Sequence, residues 1–88
     1  MKPAAIEKAE SLAHFANQCG APLAEFELAI TRAEAYELLD FLEKGGFGPP
    51  CDVLLKDIEQ ARRDANPWQV LQHFNLQGLT IGKVEGLH

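Results

Sequence analysis

Two cysteines, one tryptophan, one tyrosine and one methionine are all that this 88-residue chain holds of those types. Two thiols cannot build the dense disulfide framework of a small secreted scaffold. Their spacing leaves a single Cys19–Cys51 bridge open, because sequence distance does not fix distance in space. No apolar run approaches the ~20 residues of a transmembrane helix. Met1-Lys2-Pro3 leads into no continuous apolar segment of the signal-peptide kind. The expectation is a cytoplasmic protein with reduced thiols and no membrane association. Positive charge is also scarce. Eight Lys and Arg face thirteen Asp and Glu, a net charge of −5, and the basic residues form no stripe. Direct nucleic-acid binding is therefore not expected.

What is present describes a folded domain. The chain is 47% hydrophobic and 24% charged, a globular rather than a disordered balance. Its length fits one domain over residues 1–88, burying roughly 60–65% of the surface exposed by the unfolded chain. Neither an internal repeat nor a low-complexity tract appears.

Hydrophobic spacing predicts four helices and two strands. The first helix spans about Pro3 to Gln18, with Ile6, Ala9, Leu12, Ala13, Ala16 and Cys19 on one face. Cys19 is thereby expected in the core. Gly20 suits the residue after the helix, and Pro22 blocks continuation. Ala24 to Ile30 alternates, turning Phe26, Leu28 and Ile30 to one side and Glu25 and Glu27 to the other, as a half-buried strand does. Thr31 and Glu34 make a capping box. The helix behind it directs Ala35, Leu38, Leu39 and Leu42 inward, with Tyr36, Glu37, Asp40 and Glu43 facing away and Phe41 off the stripe. Lys44-Gly45 ends it. A third helix covers roughly Cys51 to Asp64, with Leu54, Ile58, Ala61 and Ala65 inward and Leu55 and Cys51 flanking. Asn66-Pro67-Trp68-Gln69 opens a short fourth helix as cap, first residue and successors. Val70, Leu71 and Phe74 then face inward, Trp68 packs on the preceding helix, and Gly78 ends the element. Leu79 to Val84 is the second strand, weakened at Gly82. The fold expected is α+β, mostly helical, in the order α-β-α-α-α-β. Helices pack on one face of a two-stranded sheet, and the long crossover favours parallel pairing. Both strands would be edges, open to a second copy or to a partner's strand.

The segment Gly45 to Val53, GGFGPPCDV, is the place to look for chemistry. As a phosphate cradle it lacks the Gly-Lys-Ser/Thr ending of a P-loop, its prolines remove two donors, and Asp52 repels an anion. As a thiol site it places Cys51 at a helix start, which favours a reactive thiol. Asp52 works against activation, however, and spacing puts no histidine beside it. His14, His73 and His88 with the two cysteines show none of the close pairing of a structural zinc site. The helix-turn-helix reading fails on its second helix, which carries neither Arg nor Lys, leaving Arg62-Arg63 as a thin phosphate contact.

Residues 25–43 set six acids, Glu25, Glu27, Glu34, Glu37, Asp40 and Glu43, against Arg32. The helical acids sweep round the helix rather than converge, as a solvated face does and a catalytic pair does not. Acidic surfaces steer basic partners. Tyr36, Phe41 and Phe47 could together form an aromatic patch, in which Phe47 is either a plug or an exposed anchor. The reading that follows is a small non-enzymatic protein–protein interaction module, an adaptor, regulator or inhibitor of bacterial or phage type. It would be homodimeric, without cofactor or metal. It would act through an open strand edge or through Tyr36, Phe41 and Phe47 with Glu25, Glu27, Glu37 and Asp40 around them. Its competitors are a thiol-dependent enzyme or redox sensor using Cys51 and an acidic nucleic-acid mimic.

Overall fold

The computed structural model describes residues 2–74 and 76–85. His88 and the other remaining positions lie outside the described residues. The fold is α+β, in the expected order: α1 (Ala4–Cys19), β1 (Glu27–Thr31), α2 (Arg32–Glu43), α3 (Asp52–Arg63), α4 (Trp68–Leu71) and β2 (Thr80–Val84). The two strands pair in parallel, Glu27 opposite Thr80 through Thr31 opposite Val84. The crossover through three helices makes that direction possible, since parallel neighbours cannot be joined by a tight turn.

The capping box before α2 forms as the sequence requires. The Thr31 hydroxyl accepts the Glu34 N–H at 3.2 Å, and the Glu34 carboxylate accepts the Thr31 N–H at 2.9 Å. All four residues of the inward stripe of α2, Ala35, Leu38, Leu39 and Leu42, are buried. They meet Leu28 and Ile30 of β1, Ile58 and Ala61 of α3, and Val70 and Leu71 of α4 in one core. Trp68 completes it at 1% exposure. Its indole N–H donates to the Ile30 carbonyl at 2.8 Å, tying α4 to the sheet as well as to α3.

Several local expectations are corrected. Glu25 is not on the strand; Leu23–Glu25 forms a 3-10 turn, and β1 begins two residues later. Cys19 is exposed, because the burial of α1 is concentrated at Ala5, Ile6 and Ala16 and its last turn runs past the core. Cys51 is exposed as the N-cap of α3. Phe74 lies 37% exposed rather than inward, because α4 stops at Leu71, before the helical phase reaches it. Gly78 closes a separate 3-10 turn, Leu76–Gly78. The Asn66 side chain caps nothing, and α4 starts at Trp68 with Pro67 before it.

Ala65 is the most informative correction. It does not belong to the buried stripe; it is exposed, with φ at 52°. Its N–H bonds the Arg62 carbonyl and the Asn66 N–H bonds the Ala61 carbonyl, the paired bonds of a Schellman ending. That ending needs a left-handed residue, and alanine there costs roughly 1–2 kcal/mol. Ala65→Gly should therefore stabilise the domain by about 1 kcal/mol, less the entropy a glycine adds to the unfolded chain. The urea midpoint measures this, and a lowered midpoint would contradict the assignment.

Candidate functional site

The loop between α2 and α3 is a corner in which Gly45 and Gly46 each have a structural task. Gly45 takes φ 83°, and the Gly45 and Gly46 N–H groups bond the Leu42 and Phe41 carbonyls, a second Schellman ending. Gly46 leaves room for the Phe41 ring; a Cβ there would stand 2.5 Å from it. Phe41 in turn meets Phe47 edge to face, with centroids 5.0 Å apart. Phe47 is 59% exposed. It is held from one side by Phe41 and is not a plug.

Beside Phe47 lies an open groove of about 330 Å³ lined by Leu38, Leu42, Phe47, Leu71, Phe74, Leu76 and Ile81. Leu38, Leu42 and Leu71 are core residues and form its floor; Phe74 and Phe47 stand out at its rim. Among the described residues, no polar side chain lines it. A second, more polar groove against α1 includes His14 and Asn17 and shares Phe47 and Leu76 with the first. Of this surface, sequence reasoning singled out only Phe47. Leu76 and Ile81 sit where the helical period has ended and a short strand begins, so no periodicity marked them. The one available signal was that Phe74 falls too late for a helix opened at Pro67 and cut short.

The two sheet edges differ. Thr80 N–H donates to the Phe26 carbonyl, so even-numbered residues of both strands hold the ladder. Glu27, Ala29 and Thr31 on β1, and Ile81 and Lys83 on β2, turn their peptide groups outward. On β1 two of those groups are occupied, the Ala29 carbonyl and the Thr31 N–H. Lys8 of α1 donates to the Ala29 carbonyl at 3.3 Å and pairs with Glu34 at 2.7 Å. The same Glu34 oxygen accepts from Thr31 N–H. Burial alone would raise the Glu34 carboxyl; the Lys8 ammonium and the Thr31 donors outweigh it and hold the group below the usual carboxylate range. On β2, among the described residues, no strand or side chain covers the outward groups of Ile81 and Lys83.

The other sequence candidates are dispersed. Tyr36 is half-buried one helical turn beyond Arg32, away from the Phe41–Phe47 pair. There Glu85 first, and Tyr36 to a lesser degree, hold the Arg32 guanidinium more firmly charged. Arg32 also bonds the Ala65 carbonyl and lies 4.8 Å from the Trp68 ring centroid, with the Lys83 ammonium at 4.9 Å. Glu37 and Asp40 border a shallow depression with Phe41, and Asp40 pairs with Lys44. Glu25 is on the 3-10 turn, while Glu27 lies over Gly82 on the outer sheet face. Among the described residues, Glu7, Glu25, Glu27, Glu37, Asp52, Asp57 and Asp64 make no salt bridge, whereas Lys56 alone of the basic side chains makes none. His14 is bonded to Gln18. Among the described residues no group of three His, Cys, Asp or Glu is placed to hold a metal ion, and no helix is long and apolar enough to cross a membrane.

No protein family, curated protein or solved structure matches this chain.

Proposed function

We propose that the chain is a small non-enzymatic interaction module, an adaptor, regulator or inhibitor, which binds a protein partner through the Phe47–Phe74 groove beside the open β2 edge and also pairs with a second copy of itself. The observation that carries this reading is the groove. A groove whose described lining is apolar, with two exposed aromatic rings at its rim, is the kind of surface that partners cover. The surplus of unpaired acids favours a basic partner. The dispersal of Glu25, Glu27, Glu37 and Asp40 over different surfaces counts against the nucleic-acid mimic.

The test compares wild type with Phe47→Ala. Phe47 touches the protein mainly through Phe41, so its loss should cost about 1 kcal/mol or less in urea unfolding. Proteins retained from source-cell extract by immobilised wild type should be lost with the variant. An unchanged set of captured proteins would overturn the proposal. So would a stability loss of several kcal/mol, which marks a core residue.

A further inference from the structure

Ile81 belongs at once to the open strand edge and to the apolar groove. Its N–H and carbonyl turn away from β1, because Thr80 and the even-numbered residues after it hold the ladder. Its side chain lies on the helix side of the sheet and lines the groove with Leu38, Leu42, Leu71 and Phe74. Among the described residues, none of β1 lines that groove. It therefore lies on the side to which Ile81 turns its peptide groups. We propose that edge and groove are one site, which takes an extended segment of a partner protein. The segment adds to β2 as a third strand and lays one large apolar side chain in the groove. This rests on the groove reading above and specifies the shape of what the groove holds.

The geometry selects a strand over a helix. An added strand runs about 4.8 Å from β2, and its residue beside Ile81 turns its side chain to the same face as Ile81. That side chain enters the space between Ile81, Phe74 and the floor leucines. A helix laid in the groove would leave the outward N–H and carbonyl groups of Ile81 and Lys83 without strand partners. A strand meets both needs, its main chain giving affinity and its alternate side chains specificity. Lys83 sets the neighbouring position. Two residues on, it shares the face of Ile81, where it stands over Trp68 with Arg32. Arg32 and Lys83 face one carboxylate, Glu85, which leaves one positive charge in excess. The position opposite Lys83 thus favours an acidic residue, two places from the apolar one. Glu27, the acid of β1, lies on the opposite face of the sheet. The β1 edge offers less, since Lys8 takes the Ala29 carbonyl and Glu34 the Thr31 N–H.

A displayed library of random dodecapeptides is the probe. Peptides selected on immobilised wild type should share a large apolar residue with an acid two places away. Their affinity should fall about tenfold or more with Phe47→Ala, and as far with Lys83→Pro. The Lys83 N–H points outward, so proline there spares the ladder to β1 and blocks only the outer edge. Lys83→Ala loses the same side chain and keeps the N–H, so its loss should be clearly smaller than that of proline. Circular dichroism checks that the variants are folded. In the wild type, hydrogen exchange at the Ile81 and Lys83 amides should slow when a selected peptide binds, a readout that needs no variant. Peptides weakened by Phe47→Ala but bound equally by Lys83→Pro and Lys83→Ala would overturn the strand and leave the groove standing. Peptides indifferent to Phe47→Ala would remove the groove reading, and the single site with it. Selected peptides that bind as helices, amides whose exchange is unchanged, or a library without binders would also overturn the proposal. So would a wild-type dimer in sedimentation equilibrium that Lys83→Pro dissociates, since the edge would then belong to a second copy.

Discussion

Trp68→Ala should be the most damaging single change in the protein. Truncating a buried tryptophan costs about 3–5 kcal/mol, and the Ile30 carbonyl loses its indole donor while keeping its place in the strand ladder, which adds about 1 kcal/mol. A domain of this size has a total stability of the same order, roughly 5–10 kcal/mol. The variant should therefore lose most of its cooperative urea transition, followed by far-UV circular dichroism. Trp68→Phe separates the two contributions. It keeps much of the volume and the face that Arg32 and Lys83 overlie, but not the N–H bond to Ile30. It should remain folded with an intermediate loss. Equal damage from Phe and Ala would assign the whole effect to the hydrogen bond; no damage from Phe would remove the bond from the account.

The Glu34 carboxylate is the second point of leverage, because one oxygen serves both the helix cap and the sheet edge. Glu34→Gln keeps the shape and can still accept from Thr31 N–H, but gives up the Lys8 ion pair. Glu34→Ala loses both. The alanine variant should cost about 1–2 kcal/mol, as loss of a cap does, and the glutamine variant less. The linkage has a definite sign. The folded carboxyl titrates lower than the unfolded one. Its contribution is complete above the unfolded value, near 4.5, and disappears as the pH falls through the folded value. Wild type should thus lose stability on acidification across that window more steeply than Glu34→Gln. Parallel pH profiles of the two would show the linkage to be absent. Glu34→Ala should also expose the β1 edge and increase aggregation.

The helices and the capping box could be read from sequence because each rests on local information. The period of Ala35, Leu38, Leu39 and Leu42, and the Thr31–Glu34 spacing, need no knowledge of the rest of the chain. Errors collected where tertiary placement decides. Cys19 continues the apolar face of α1, yet its turn overruns the core. Ala65 keeps the phase of α3, yet the helix has already ended in a left-handed residue. The candidate site was legible only at Phe47. The groove is assembled from α2, α4 and β2, and its floor is the same leucines that sequence assigns to the core. Which strand edge is open depended on Lys8, a residue on another element with no local mark.

The parallel register also dictates the order in which the protein can assemble. Glu27 pairs with Thr80 across three intervening helices, so no sheet hydrogen bond can form until nearly the whole span is in place. Contacts this distant in sequence are slow to close. The α1 latch on β1 and the packing of α2 need only the first half of the chain. They should form first, leaving the inner edge of β1 unpaired until β2 arrives, and β2 should be the first element to detach when the domain opens. A strand that docks last and leaves first is the one whose other edge faces outward. Occupation of that edge would therefore act as a clasp on the whole crossover, slowing unfolding as the fraction of occupied edges rises.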